Sequence, residues 1–350
     1  MDLASHCDRV RSLDPVGTLG RIVDVVGLTI EATAPPMCIG DLCYVRSRAD
    51  DSLIPVEVVG FRGDRIILMP LGSIQGIGPG SLVLPTFAPE QVHVGPDVLG
   101  RVINGMGVPL DGGPPLGAGT RMPLVAAPPK PLERRRIVES IATGVRAIDA
   151  CITCGKGQRI GIMSGSGIGK SKLMGMIARN TSADISVIAL IGERGREVRD
   201  FIDVDLGPEG LARSVVIVAT SDEPALRRVK GAYCATTIAE WFRAQGADVM
   251  LLMDSLTRFA MAQREIGLAS GEPPTTKGYP PSMYALLPKL LERAGTSAVG
   301  SITGLYTVLV EADDLNDPVG DASRSILDGH IALTRDLASR GHYPSIDVLQ

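Results

Sequence analysis

A glycine-rich segment in the middle of the chain places the strongest constraint on the fold. The segment covers residues 159–172 and reads RIGIMSGSGIGKSK. It begins with an apolar stretch typical of a short buried strand, continues with alternating glycines, and leads into an apolar pattern of helical spacing. Alternating glycines let successive backbone N–H groups point inward, and the start of a helix adds its positive dipole end. The segment therefore predicts a strand, an anion-binding loop and a helix.

The chemistry of this loop predicts a site for a nucleoside triphosphate. Lys170 is expected to reach the β- and γ-phosphates, and the Ser171 hydroxyl to ligate Mg²⁺. The usual pattern opens with a glycine, where this chain has Ser164. A flexible Gly/Ser linker is the alternative, but a linker lacks the flanking strand and helix. The predicted nucleotide-binding residues of the loop are Gly165, Ser166, Gly167, Ile168, Gly169, Lys170, Ser171 and Lys172.

Length and composition restrict the class of protein. The 350 residues indicate two domains, and the net charge of −4 argues against a generally basic nucleic-acid-binding protein. No uncharged apolar stretch reaches the roughly 20 residues of a membrane-spanning helix, and the N-terminus does not resemble a signal peptide. Six cysteines are too few for a disulfide framework, so we expect a cytosolic protein. The pair Cys151 and Cys154 lacks a second metal-binding pair, and we expect neither zinc nor redox chemistry there.

The first part of the chain has the pattern of a small β-domain. Short β-branched or apolar segments alternate with Gly, Pro and Asp turn signals, which predicts a closed or nearly closed barrel. The predicted strands are 22–26, 28–32, 42–45, 56–60, 65–69 and 81–84. Residues 89–135 are rich in turn residues and predict an extended connection, with a possible strand at 100–103.

After Ile137 the pattern changes to alternating strands and helices. Continuous apolar strands joined by helices predict a mainly parallel sheet covered on both faces, with ligands bound at the carboxyl ends of the strands. The predicted strands are 159–163, 185–191, 215–220, 249–254, 299–303 and 306–310, and the predicted helices include 170–179 and 233–245.

Two predicted strands deliver acidic residues to this edge. Asp254 ends the apolar strand 249–254 and is predicted to lie in the outer shell of the metal ion. Glu193 and Glu197 follow the strand 185–191, and either is suited to polarise an attacking water. Arg194 and Arg196 lie beside them and supply positive charge. The alternative interpretation is an exposed turn with solvated ion pairs.

Taken together, several segments resemble the catalytic subunits of rotary-type hexameric ATPases, and among them the export ATPases of flagellar and type III secretion systems. The resemblance runs from about residue 20 to the end of the sequence. The segments are TCGKGQR at 153–159, SGSGIGKS at 164–171, GERGREV at 192–198, DSLTRFA at 254–260, GYPPS at 278–282, LLPKLLERAG at 286–295 and LDGHI at 327–331.

The resemblance implies a RecA-like P-loop ATPase domain with a mainly parallel sheet, preceded by a small N-terminal β-barrel. It divides the chain into a tail (1–19), a barrel (20–88), the connection (89–135) and the ATPase domain (136–350). It implies that Glu193 rather than Glu197 is the catalytic acid. It also implies that Arg194 and Arg258 line the phosphate pocket and that Tyr343 stacks on adenine. The family's C-terminal helical domain and its trans-acting arginine are expected beyond Gln350.

The resemblance also implies a function. The expected protein couples Mg-ATP hydrolysis in a ring, most simply a hexamer, to the release or unfolding of substrates for flagellar export. Its expected partners are stator and stalk proteins, chaperones and substrates at an inner-membrane export gate, without nucleic acid. A virulence type III secretion ATPase and a non-catalytic ring subunit are the alternatives. The residues GSGIGKS at 165–171 favour the flagellar branch.

Overall fold

The computed structural model describes residues 18–117, 119–165, 167–310 and 317–350. The chain separates into two compact units, which divide between Glu90 and Gln91. Among the helices in these described ranges, none has the length and apolar character needed to cross a bilayer.

The first unit is a closed antiparallel barrel of six strands in the order β1-β2-β5-β4-β3-β6. Alternate side chains, such as those of Ile30, Val45 and Leu68, are fully buried and form its core. This arrangement confirms the predicted barrel. The strands are β1 Gly20–Val26, β2 Thr29–Thr33, β3 Asp41–Arg46, β4 Leu53–Arg62, β5 Arg65–Pro70 and β6 Leu82–Pro89.

The start of the second unit contains more strands than the extended connection that we predicted over 89–135, and the strand suggested at 100–103 overlaps an observed one. Strands β7 (Gln91–Val94) and β9 (Thr120–Pro123) pair with each other, and β8 (Val102–Asn104) joins the edge of the large sheet beside β14 (Ser214–Ala219). Ile103 of β8 is fully buried. Because the apolar runs here are only three or four residues long, their strand character depends on partners that are distant in sequence.

A nine-stranded sheet forms the centre of the second unit, in the order β19-β18-β12-β17-β15-β13-β14-β8, with β16 beside β17. All its pairings are parallel except those of β16 and β19. This confirms the predicted α/β class. The remaining strands are β10 Ser140–Ile141, β11 Cys154–Gly155, β12 Arg159–Ser164, β13 Ile185–Ile191, β15 Asp248–Asp254, β16 Gly295–Thr296, β17 Ser301–Leu309, β18 Gly329–Leu333 and β19 Ile346–Asp347.

Strand β17 corrects one prediction. The sequence predicted two strands, 299–303 and 306–310, whereas the structure has one continuous strand through Gly304. A Cβ at Gly304 would lie 2.4 Å from the ring of Tyr306. The glycine is therefore required by close packing within the strand, and it lies in the gap that we left between the two predicted strands.

The helices cover the sheet. Helix α5 begins at Ala225, whereas the predicted helix began at Tyr233. The prediction missed the first turns because they contain charged residues that are buried in the structure: Arg228 is only 8% exposed and pairs with Glu265. The helices are α1 Arg146–Cys151, α2 Lys170–Asn180, α3 Gly195–Asp200, α4 Gly207–Ala212, α5 Ala225–Ala244, α6 Leu256–Ala269, α7 Pro281–Leu291, α8 Pro318–Ile326 and α9 Arg335–Ser339. A π-helical turn, Phe201–Leu206, joins α3 to α4.

Candidate nucleotide site

The glycine-rich loop connects the end of β12 to the start of α2, as predicted. Gly169 precedes the helix in a left-handed conformation with φ of +97° and, as a glycine, has no side chain to cap the first turn. Gly167 is also left-handed, with φ of +77°, and the space beside its Cα is open. Uncapped N–H groups and the helix dipole form a favourable environment for an anion. Ser166, a predicted ligand, lies outside the described residues.

The loop is anchored from below. The side chain of Ile168 is buried in the core of the sheet domain, so this residue contributes packing and its backbone rather than a side chain to the loop surface. The Ser345 hydroxyl donates a 2.7 Å hydrogen bond to the Ile168 carbonyl oxygen. Gly165 and Ser164 are also buried. The Ser164 hydroxyl has no hydrogen-bond partner among the described residues.

Three predicted residues meet at one point. The Lys170 ammonium lies 2.6 Å from Asp254 Oδ1 and 3.5 Å from Glu193 Oε1. Asp254 ends β15, and Glu193 follows β13, the neighbouring parallel strand. The side chains of Lys170, Asp254 and Glu193 are only 11%, 2% and 14% exposed. The carboxyl edge of the sheet thus gathers a cation and two acids beneath the glycine loop.

A threonine from the neighbouring strand orients Asp254. Thr307, on β17, donates a 2.7 Å hydrogen bond from its hydroxyl to Asp254 Oδ1, and it is fully buried. We did not predict this residue. The available signal was a hydroxyl within an otherwise apolar strand, and its contact with Asp254 depends on the parallel neighbour relation of β15 and β17.

The environment shifts the protonation of Glu193. Burial raises its pKa to about 7, helped by the charge of Asp254 and by a hydrogen bond with Glu197, while Lys170 acts in the opposite direction. The same hydrogen bond lowers the pKa of Glu197. Burial opposes the charge of Lys170, but the two nearby carboxylates raise the pKa of this lysine above its usual value. Lys170 therefore remains a cation, whereas Glu193 exchanges protons near neutral pH.

The two predicted arginines occupy different environments. Arg258, on α6, packs along Gly192, and its Nε is buried without a hydrogen-bond partner within the described ranges. Because a buried guanidinium N–H without an acceptor is rare, this group is suited to an anionic ligand. Arg194 is 81% exposed and lies 3.6 Å from Glu197.

Two other predicted nucleotide ligands lie beside the loop. The ring of Tyr343 is 3.3 Å from the position that a Cβ on Gly169 would take, and the residue is 60% exposed. An aromatic face thus lies next to the phosphate loop, available for stacking. The Lys172 ammonium is held at 2.6 Å by Asp205, so only its backbone is left to contribute to the loop.

The residues present fit a magnesium ion. Ser171, in the first turn of α2, supplies a hydroxyl, and Asp254 supplies a carboxylate. Mg²⁺ binds few protein oxygens directly and retains phosphate and water ligands, so one hydroxyl with a carboxylate in the outer shell is sufficient. Within the part of the chain that the structure describes, no group of three or more His, Cys, Asp or Glu side chains has the arrangement of a metal site.

Comparison with known proteins follows the same division of the chain. Residues 144–350 match the ATP synthase alpha/beta family, nucleotide-binding domain, and residues 22–86 match the beta-barrel domain of that family. The flagellum-specific ATP synthase of Bacillus subtilis is 53% identical over 351 residues, covering 100% of this chain and 80% of the relative. The type 3 secretion system ATPase of Xanthomonas euvesicatoria is 51% identical over 330 residues, covering 94% of this chain and 75% of the relative.

Solved structures agree. The assembled ATPase EscN from the type III secretion system of enteropathogenic E. coli superposes with a TM-score of 0.88 at 48% identity, covering 94% of this chain and 79% of that chain. EscN in complex with its central stalk EscO gives a TM-score of 0.86 at 47% identity, covering 94% and 78%. These relationships confirm the resemblance inferred from the motifs. The chain belongs to the ATP synthase alpha/beta family, as a member of its flagellar and type III secretion ATPases.

Proposed function

We propose that this ATPase hydrolyses ATP at the carboxyl edge of its sheet, with Glu193 as the general base and Lys170 as the principal phosphate ligand. The observation that carries the proposal is the convergence of Glu193 and Asp254 on the Lys170 ammonium, at 3.5 and 2.6 Å. A cation and two acids at strand ends, beside a glycine loop that precedes a helix, are the groups that phosphoryl transfer requires.

Binding uses groups that are already in place. The N–H groups of the loop and of the first turn of α2 would cradle the phosphates. Lys170 carries a full charge, and its contact with Asp254 supplies the orientation in which it would meet the β- and γ-phosphates. Tyr343 would stack on the adenine ring, since every base offers a π-face.

Mg²⁺ would be held by the Ser171 hydroxyl, with Asp254 in the outer shell. When bound, the ion neutralises charge on the phosphate oxygens. The Thr307 hydroxyl fixes one oxygen of Asp254, which keeps this carboxylate in a single orientation.

Glu193 has the protonation behaviour of a general base. A carboxylate with a pKa near 7 is partly deprotonated at neutral pH and is a stronger base than an ordinary glutamate. It would accept a proton on a side-chain oxygen from the water that attacks the γ-phosphorus. The buried Nε of Arg258 would donate to the transferred phosphoryl group, and Arg194 would contribute positive charge from the exposed side.

We infer further that hydrolysis is coupled to protein export, through a ring of identical chains in the cytoplasm, peripheral to the inner-membrane export apparatus. The support is the likeness to EscN, which has been solved assembled and with a central stalk. Stator and stalk proteins, export substrates and chaperones are the corresponding partners, and nucleic acid is not among them. Flagellum-specific and type 3 secretion relatives, at 53% and 51% identity, support export as the shared function.

Phosphate release by a Glu193→Gln variant tests the catalytic assignment. We expect turnover to fall by about 100-fold or more, because the amide is not a base, while ATP affinity stays close to the wild-type value. Glu209→Gln is the matched control, since Glu209 is exposed on α4. Wild-type turnover by Glu193→Gln would remove the proposed role.

A further inference from the structure

Three residues on one face of helix α2 contact a single residue, Asp205. The Lys172 ammonium lies 2.6 Å from Asp205 Oδ1, and Arg179 donates a hydrogen bond to the Asp205 carbonyl oxygen. Between them, a Cβ on Gly175 would lie 2.7 Å from the Asp205 carbonyl oxygen. Because these positions are three and four residues apart, they lie on the same side of the helix. We refer to Lys172, Gly175 and Arg179 around Asp205 as the Asp205 clamp.

Asp205 lies in the π-helical turn Phe201–Leu206. Phe201, Asp205 and Leu206 of this turn are buried, and the Asp205 side chain is 10% exposed. A buried carboxylate requires a nearby cation or several donors, and the Lys172 ammonium supplies the charge. The Lys172 side chain is itself 68% exposed, so it reaches Asp205 from the solvent side.

The helical run that ends in the clamp begins at the catalytic acid. Helix α3 starts at Gly195, two residues after Glu193, and Glu197 in its first turn shares a hydrogen bond with Glu193. At the start of this segment, the ammonium of Lys170, on α2, lies 3.5 Å from Glu193 Oε1. Helix α2 therefore contacts both ends of the segment 193–206: Glu193 at its start and Asp205 near its end.

We propose that Lys172 and Asp205 are positioning residues for ATP hydrolysis. Their ion pair fixes the far end of the segment 193–206 on α2 and thereby holds Glu193 at its distance from Lys170. This inference rests on the proposed role of Glu193. It also gives the Lys172 side chain a role other than the nucleotide contact predicted from the sequence.

The test compares Lys172→Gln, Lys172→Arg and Asp205→Asn in single-turnover phosphate release and in ATP binding. We expect Lys172→Gln to lower the rate constant about tenfold, because small displacements of a catalytic group are costly, while ATP affinity is unchanged. Lys172→Arg should restore most of the rate. In a double variant that combines Lys172→Gln with Asp205→Asn, the second substitution should add little to the loss of rate, since both changes remove the same contact.

Arg199→Gln is the matched control, because Arg199 forms an exposed ion pair with Asp203 on the same helical run. It should leave the rate unchanged. Hydrogen exchange without nucleotide provides a second readout, and the amides of 195–206 should exchange faster in Lys172→Gln than in Arg199→Gln. A Lys172→Gln variant with a wild-type rate, or with a loss that Lys172→Arg does not reverse, would overturn the inference. So would unchanged exchange in this segment.

The outcome for Glu193 is separate. If Glu193→Gln keeps the wild-type rate, the catalytic role of Glu193 fails, and with it the proposed function. The exchange measurement then still decides whether the clamp holds the segment. If Glu193→Gln is inactive and Lys172→Gln is normal, only the clamp is refuted.

Discussion

Two buried ion pairs in the second unit have similar geometry and different surroundings. Arg293 Nη2 lies 2.5 Å from Glu240 Oε2, and Lys170 Nζ lies 2.6 Å from Asp254 Oδ1. The guanidinium also donates to the Leu124 carbonyl oxygen and lies 5.9 Å from the centre of the Tyr233 ring. The Arg293 pair is thus enclosed by protein acceptors on several sides.

The Lys170 pair is arranged for exchange of partners. Its ammonium faces two carboxylates at unequal distances, in a loop where the space beside Gly167 is open. A fully satisfied pair stabilises one arrangement of the core, whereas a pair with surplus acid beside free N–H groups can accept a ligand. The difference indicates that satisfaction of hydrogen bonds, rather than burial, separates a structural ion pair from a functional one.

The largest expected effect is on the structural pair. Arg293→Met should lower the free energy of unfolding by about 3–5 kcal/mol, because Glu240 stays buried and its remaining ion-pair partner among the described residues is Arg243, at 3.9 Å. Urea denaturation measures the loss. Lys289→Met, at an exposed position in α7, is the control. A loss below about 1 kcal/mol would show that the pair is not structural.

The next effect is on the functional pair. Lys170→Met should reduce ATP affinity tenfold or more, because about 1.4 kcal/mol of charge-assisted contact is lost. The free energy of unfolding should fall less than in Arg293→Met, since Glu193, with a pKa near 7, can take up a proton and remove one of the two remaining charges. Calorimetric titration and urea denaturation measure the two quantities. A large stability loss with normal ATP affinity would reverse the contrast.

The pH dependence of the rate tests the surplus acid. Phosphate release should fall as the pH is lowered through about 7, up to tenfold per pH unit, because only the deprotonated Glu193 accepts a proton. Glu197→Gln removes a hydrogen bond and a charge that raise the pKa of Glu193, so the inflection should move to lower pH. An inflection at the ordinary glutamate value in the wild-type protein would contradict this reading of the site.

The smallest effect concerns the orientation of Asp254. Thr307→Val removes one neutral donor to a charged acceptor and should lower the free energy of unfolding by about 1–2 kcal/mol and reduce the rate of hydrolysis modestly. Thr303→Val, on the same strand, is a control in which the Asp254 contact is kept. Equal rates in the two variants would indicate that Thr307 does not position Asp254.

The sequence predicted the parts of the site that depend on local order. Gly169 and Lys170 follow strand β12 after a short loop, and Asp254 ends strand β15. The rule that parallel strands share a carboxyl edge was therefore enough to bring them together. The choice of Glu193 over Glu197 required the family resemblance, because the two residues are equivalent in local chemistry.

Contacts between distant segments were not predictable. The hydrogen bond from Thr307 to Asp254 depends on strand register, and the contact of Lys172 with Asp205 depends on a π-helical turn that no local pattern indicates. The first turns of α5 were not predicted because they contain Arg228, and a charged residue ordinarily indicates a solvent-exposed position, whereas this one is buried.

An experimental structure of the chain with magnesium and a non-hydrolysable ATP analogue tests the nucleotide site most directly. We predict the γ-phosphate beside the Lys170 ammonium, with the Glu193 carboxylate facing the position of the attacking water and Asp254 on the metal side. Nucleotide bound away from the loop, or Glu193 turned away from the γ-phosphate, would contradict the assignment.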